Sequence, residues 1–409
     1  MKPRLSARYA SLGVIALTLA LAYGIWYSYS VILVALLDEF GWSRSVLAGA
    51  FSVFTLVHGS ANPVIGALCA RFRPLRVTAA GGLAMGLALF ADSFIATPVQ
   101  LYFGFGVFTA LAVAASGWAP ALVHVQRGYQ DRLGLSIGIV SSGVGVGMLL
   151  VVPFAQFLID AVGWRAAFRV LGVLCVLWIV PASLLPMRTP RGELSPAATP
   201  RAATRPRSAS KSMTLAEAMR TQPFWLLIAA FFFGNLCSQT LHVHQVAYLV
   251  DHGVAAIVAA SVVGVVGLAS IVGKTGGGWL SDRVERELVY VAGISILALS
   301  AFALLALGAA PTRWAAYGYA ALLGVGYSVT AAITPAMMSD RFSGPHYGAI
   351  VGVGLMGGSV GSAFGPWLAG RLYDAAGSYT LAFMIAAASG AAAGLASWRA
   401  RSLRRRALL

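Results

Sequence analysis

The chain has 409 residues; 59% are hydrophobic, only 10% are charged, and the net charge is +16. A soluble domain of this length carries about a quarter charged residues, so a large soluble enzyme with an anchor is excluded. The excess of arginine sits in short connections and tails without any RNA- or DNA-binding motif, which argues for topology and headgroup contacts and against nucleic acid.

In chain order, twelve apolar stretches are expected as helices, at about 9–37, 44–69, 76–96, 99–124, 133–158, 164–185, 223–250, 255–280, 288–309, 313–338, 346–371 and 378–398. Crossing a hydrocarbon core takes ~20 helical residues. In lipid the backbone must satisfy its own hydrogen bonds, so helices are the form expected for stretches this apolar. Lys2, Arg4 and Arg8 precede the first stretch as they would in a signal peptide. The run from Tyr9 to Leu37 is too long for one and lacks a small-residue cleavage site, so it reads as an uncleaved first helix. Cys69, Cys175 and Cys237 all lie in apolar stretches and imply no disulfide framework.

The basic residues alternate from connection to connection. One side receives Lys2, Arg4 and Arg8, then Arg71, Arg73 and Arg76, Arg127 and Arg132, the run from Arg188 to Arg220, Arg283 and Arg286, Arg341, and the tail from Arg399 to Arg406. The other side receives Arg44, Arg165, Arg169, Arg313 and Arg371. By the positive-inside rule the crowded side is cytoplasmic, and both termini lie on it.

Residues 186–222, with the run SPAATPRAATRPRSAS, form the one real linker, ending in a capping-box pattern at Thr214 and Glu217. It separates an N-terminal bundle, 1–185, from a C-terminal bundle, 223–409, that ends in a basic cytoplasmic tail. The halves repeat. A shift of about 212 carries Gly66, Arg71 and Val77 onto Gly278, Arg283 and Val289. A shift of about 214 carries Gly134, Gly138, Gly143, Gly147, Leu158, Asp160 and Gly163 onto Gly348, Gly352, Gly357, Gly361, Leu372, Asp374 and Gly377. Six is an even number, so the repeat keeps its orientation, and the expectation is an all-α membrane protein of two parallel six-helix repeats.

Ionisable groups inside the membrane are few and therefore informative. Lys274 stands roughly 12 Å above the loop at Asp282, at 1.5 Å per residue. Its Cα–Cβ bond starts toward the bilayer centre, whereas snorkelling to the cytoplasm would oppose that tilt. An ammonium in a water-filled cavity is a natural partner for an anion. His58, with Asn62 on its face, lies near the midplane, and Asn235, Gln239, His242, His244 and Gln245 crowd the seventh helix. His58 and His244 are the candidates for proton coupling, with helix–helix hydrogen bonding as the alternative for each. Tyr23 and Tyr27 share a face of the first helix and could line a cavity or pack as aromatics. The small-residue ladders of helices 5 and 11 allow close packing, either static or sliding. No Walker loop, zincin helix, haem motif or metal-ligand spacing occurs, so neither a cofactor nor an enzyme activity is expected.

Gly278-Trp279-Leu280-Ser281-Asp282-Arg283 resembles the major facilitator signature G-x-x-x-D-R, and Gly66-Ala67-Leu68-Cys69-Ala70-Arg71 is a copy with Ala70 in place of the acid. The resemblance implies a cytoplasmic gate built on Asp282, Arg283 and Arg71; the alternative is that the loop arginines only enforce topology. The segments 37–44, 160–168, 244–253 and 365–383 resemble monocarboxylate-porter-like and oxalate/formate-antiporter-like bacterial members of that superfamily. In monocarboxylate transporters an Arg of the eighth helix, with an acid or polar residue four positions earlier, binds the carboxylate. Lys274 and Ser270 stand at those positions, but no Lys or Arg occurs between Arg8 and Arg44 to match the first-helix Lys of animal members.

These features lead to the expectation of a secondary transporter of the bacterial inner membrane that moves a small organic anion, a monocarboxylate, by alternating access with proton coupling. Lys274 would attract the carboxylate, with Ser270, Tyr327, Asn235 and Tyr27 as polar lining. The expected partners are the anion, protons and membrane lipids, in a monomer. An efflux pump for a metabolite or drug, and a membrane sensor without turnover, are the alternatives.

Overall fold

The computed structural model describes residues 3–129, 133–184, 213–342 and 346–406. Among them there is no β-strand. The membrane helices are α1 (Pro3–Phe40), α2 (Arg44–Arg71), α3 (Pro74–Asp92), α4 (Pro98–Gly128), α5 and α6 (the two parts, 133–162 and 164–184, of Leu133–Leu184), α7 (Gln222–Asp251), α8 (Ala256–Ser281), α9 (Arg286–Ala309), α10 (Arg313–Ser339), α11 (Tyr347–Ala376) and α12 (Thr380–Arg406). Eleven continuous helices are long and apolar enough to cross a membrane, and one of them is two crossings joined at Gly163. Twelve crossings result.

The starts follow local chemistry. Ser43 caps α2, Thr97 and Gln100 form a reciprocal capping box at α4, and Pro74 opens α3 at its first turn. The expected capping box at Thr214 and Glu217 opens a short surface helix, Leu215–Met219. The rest of the linker, 185–212, lies outside the described residues.

The stops are a second repeat. Gly41, Gly163, Gly253 and Gly377, all at positive φ, end α1, α5, α7 and α11. A side chain at φ +79° or +66° would be strained, which explains why the Asp-x-x-Gly pair at Gly163 and Gly377 recurs. All four turns lie on the side opposite the arginine-rich loops; the two faces are called here the far side and the basic side. The basic tail is a correction to the expected boundary at 398. Helix α12 continues to Arg406, because Arg401 bonds Glu285 and Arg404 bonds Glu287 at the start of α9.

Within each half the same contact recurs. Gly143 and Gly147 of α5 lie against the backbone of Ala16 and Ala20 in α1; Gly357 and Gly361 of α11 lie against Ile228 and Phe232 in α7. These four glycines therefore pack inside a half and not across the seam between the halves. The outer faces carry exposed Leu87, Phe94, Leu177, Trp279 and Leu299, as a lipid-facing surface requires.

Candidate functional site

Two main seams join the halves, α2 against α11 and α5 against α8, with a smaller contact of α1 against α7. Both are shut on the far side and open on the basic side. Along α2 and α11, Arg44 and Ser45 meet Gly370, Ser52 bonds the carbonyl of Ala363, and Gly59 meets Ser359. Beyond that point Gly66, Gly348 and Gly352 have open space where a Cβ would stand. Along α5 and α8, Gly264 meets Leu149 and Gly267 meets Gly145 and Met148, while Gly138 and Gly278 again face open space. The pathway is therefore sealed toward the far side and open toward the basic side.

The far-side seal is polar at one seam. The Asp374 carboxylate, at the end of α11, accepts from the backbone N–H groups of Arg44 at 2.9 Å and Ser45 at 3.0 Å, so it caps α2 across the seam. The Arg44 guanidinium bonds Asp251 at 2.8 Å and the Tyr379 hydroxyl at 2.7 Å, and lies 3.9 Å from the Tyr373 ring centre. Tyr379 leads on to His244: its hydroxyl is 2.9 Å from Nδ1, and Nε2 is 2.9 Å from the Pro366 carbonyl. A carbonyl only accepts, so Nε2 carries the hydrogen and Nδ1 accepts from the tyrosine. The tyrosine oxygen in turn accepts from Arg44.

Where the seams part, side chains from both halves converge. The His242 ring of α7 lies 5.3 Å from that of Tyr27 in α1 and 4.7 Å from that of Tyr327 in α10. The Tyr327 hydroxyl points at the Met148 sulfur of α5 at 3.6 Å and is within reach of Ser270 and Tyr27; Tyr27 also reaches Gln239. His242 Nδ1 is held by the Ser238 carbonyl at 2.8 Å. His242 Nε2 and Gln239 Oε1, both buried, have no hydrogen-bond partner among the described residues. Buried polar atoms are normally paired, so both are free to take a water or a ligand atom; Trp26 Nε1 and His58 Nε2, with ring centres 4.7 Å apart, are a second such pair.

Lys274 lies one turn beyond Ser270, toward the basic side. Leu268, Val272 and Trp279 mark the lipid face of α8, and Gly273 and Gly277 face α10. Gly267 and Ser270 face α5 at Gly145. At 100° per residue Lys274 falls within the α5-facing set, between Ser270 and Gly267, and is turned away from lipid. It is half-buried and has no ion pair or hydrogen bond among the described residues. Its charge thus stands at the first open position below the sealed α5/α8 contact.

A profile of the Major Facilitator Superfamily matches residues 15–317 and 243–408. The chain belongs to the Major Facilitator Superfamily. It is 28% identical over 387 residues to monocarboxylate transporter 11 of Mus musculus, covering 89% of this chain and 81% of the relative. It is also 28% identical over 346 residues to the uncharacterized MFS-type transporter YhjX of Escherichia coli K12, covering 83% and 82%. Among solved structures, a bacterial homologue of the lysosomal transporter Spinster, inward-facing and occupied, superposes with TM-score 0.72 at 18% identity over 98% of each chain. The nucleoside transporter NupG superposes with TM-score 0.74 at 11% identity over 95% of this chain and 99% of its own.

In this facilitator the expected lining residues divide. Tyr27, Ser270 and Tyr327 come together, with Lys274 one turn away. Asn235 does not join them: its Nδ2 donates to the Phe231 carbonyl and its Oδ1 accepts from Ser362 of α11. His58 sits in an aromatic box, with ring centres 4.7 Å from Trp26 and 6.3 Å from both Phe54 and Tyr23. His244 belongs to the far-side seal. Asp282, Arg283 and Arg71 are exposed on the parted basic side; Arg283 bonds the Trp279 carbonyl and covers that ring, and Arg71 covers Phe72. Gln239 and His242 were visible as polar residues in an apolar helix, but nothing in the sequence separated them from their neighbours. Asp92 gave a weaker signal still, as an acid at the end of an apolar run. It is fully buried, accepts from Thr109 at 2.9 Å, and presses its other oxygen against Gly104, where α4 widens to a π-turn.

Proposed function

We propose that this facilitator moves a small organic anion, a monocarboxylate, by alternating access, and that Lys274 supplies the charge that holds the carboxylate. The observation that carries the reading is an intramembrane ammonium without a counter-ion among the described residues, turned away from lipid and one turn from a polar cluster built by both halves. Tyr27, Tyr327 and Ser270 would donate to the carboxylate, and Gln239 and His242 would complete the cluster. The names of the monocarboxylate transporters among its relatives support the same class. Lys gives a point charge without the two-pronged geometry of Arg, which suits a small cargo held by several neutral donors as well. Charge-assisted hydrogen bonds are worth about 1.5–3 kcal/mol each, enough to select an anion over its neutral analogue.

Proton coupling rests on two histidines. His242 Nε2 is a lone-pair acceptor in the neutral ring; once protonated it becomes a donor, so one proton and one carboxylate favour each other. The rings facing it are those of Tyr27 and Tyr327. His244 links the proton to the seal. A second hydrogen on its Nδ1 would displace the Tyr379 donation and bring a positive charge toward Arg44; Asp251, Asp374 and Tyr373 complete that surrounding. His58 has no such connection, and the reading gives it no part in coupling. The parted basic side is taken as cytoplasmic, in a bacterial inner membrane, and Asp282, Arg283 and Arg71 are assigned to its closure in the opposite state.

Counterflow in proteoliposomes tests this. Preloaded unlabelled carboxylate should drive accumulation of labelled lactate, pyruvate, formate or oxalate in the wild type, and Lys274→Ala should abolish it while reaching the membrane in normal amount. Unchanged counterflow in that variant removes Lys274 from the site. Saturable binding without flux would point to a sensor, and exchange of neutral compounds alone to an efflux pump.

A further inference from the structure

A groove of about 790 Å³ runs along the outer surface of the first half between α2, α3 and α4. Its walls are Leu68 and Phe72 of α2, Leu87 of α3 and Phe108 and Leu111 of α4, and its one charged lining residue is Arg76, at the basic-side end. From Arg76 to Ala91 along α3 it spans roughly 22 Å, more than half of a hydrocarbon core of ~30 Å. A long apolar trough with a cation at its membrane-surface end has the shape of an amphiphile with an anionic head.

The charge at that end is uncompensated. Arg73 and Arg76 are exposed, and among the described residues neither has an ion pair or a hydrogen bond from its guanidinium. The second half behaves differently. Arg286 pairs with Asp340 at 2.5 Å, Arg401 with Glu285 at 2.5 Å, and Arg341 and Arg404 with Glu287 at 3.5 and 3.2 Å. The repeat shift of 212 sharpens the contrast: Arg73 corresponds to Glu285 and Arg76 to Leu288. The same loop is thus neutralised in one half and left cationic, above an apolar groove, in the other.

We propose that this groove is a site for an anionic glycerophospholipid, one acyl chain lying along α3 and α4 and the phosphate resting on Arg73 and Arg76. Clustered arginines at a membrane surface attract anionic headgroups, and the groove adds apolar area that a free phosphate cannot use. Pseudo-symmetry predicts no equal site in the second half.

Native mass spectrometry of the full chain released from detergent, with phosphatidylglycerol and phosphatidylcholine of identical acyl chains in competition, tests the assignment. The wild type should retain one phosphatidylglycerol in preference. Arg73→Gln/Arg76→Gln should lower that preference by about 30-fold, at about five-fold per arginine near the surface. Ala84→Trp, which fills the groove and leaves the charges, should weaken both lipids, and glycerol phosphate should not compete. Equal retention of the two lipids by the wild type overturns the proposal. So does an unchanged preference in the double variant, displacement by glycerol phosphate, or a dimer of the chain that is lost with Ala84→Trp. Counterflow should persist in the double variant, so failure of the lipid assignment is separable from failure of the carboxylate assignment.

Discussion

The two seams between the halves are related by the internal repeat, yet they close by different means. At α2/α11 the far-side end is held by charge: Asp374 caps α2 through two backbone N–H groups, and Arg44 joins Asp251 and Tyr379. At α5/α8 the equivalent acid, Asp160, bonds only Gln156, and α8 starts at Ala255 without a side-chain cap. Among the described residues no side-chain hydrogen bond or ion pair joins α5 to α8. That seam closes by shape, with a Cβ on Gly145 placed 2.5 Å from the Gly267 carbonyl. One seam is therefore a latch of charge and hydrogen bonds, and the other is a close-packed pivot next to Lys274. A transporter that must reopen benefits from this division. Electrostatic contacts can be switched singly, whereas a glycine contact is present or absent as a whole.

Breaking the pivot side should have the largest effects. Lys274→Ala is expected to abolish carboxylate counterflow, because the charge that holds the carboxylate is gone, with Lys274→Arg retaining part of it. Gly145→Leu should be nearly as severe. Its side chain would meet Gly267, Ile271 and Ser270, so α5 and α8 could not close on the far side. A cysteine at Ser52, reacted with an impermeant maleimide from the far side, should then label faster than in the unsubstituted background.

Effects at the latch should be smaller and graded. Arg44→Ala removes two charge-assisted hydrogen bonds, and the same labelling should rise by about ten-fold or more. Asp374→Asn leaves the shape but weakens the cap on α2, an effect of about 1 kcal/mol, or about five-fold in the population open to the far side. His244→Gln should sharpen the comparison. In the wild type, acid should speed far-side labelling, because protonated His244 no longer accepts from Tyr379; the variant should lose that dependence while labelling at α5/α8 stays independent of pH in both. A pH profile unaltered by the substitution would separate His244 from the seal. Tyr27→Phe should be mildest, a few-fold rise in half-saturating concentration with Tyr327 and Ser270 still present.

Much of the arrangement was legible because lipid simplifies the physics. Backbone hydrogen bonds cannot be left open in hydrocarbon, so apolar length reports helices directly, and the arginine pattern separates the two sets of connections. The Asp-x-x-Gly repeat was legible for an equally local reason, the positive φ of Gly163 and Gly377. Lys274 stood out because a charge there is costly. The partnerships were not legible. Asp160 and Asp374 look alike in sequence, but only Asp374 reaches the helix opposite. His242 and His244 stand two residues apart on one helix; one faces the tyrosine cluster and the other the seal. Asn235 looked like lining and is spent on Ser362 of α11.

The sequence by itself determined the twelve crossings, the alternation of arginine-rich and arginine-poor connections, the two-fold repeat and the position of a cation in the eighth crossing, since each follows from the cost of exposing polar groups or charge to lipid. Which side is shut, which acid holds α2, and which polar residues share a space with that cation were decided only by the tertiary structure. Those are contacts between segments hundreds of residues apart, set by helix rotation and by the angle between the halves, and neither leaves a local trace in the chain.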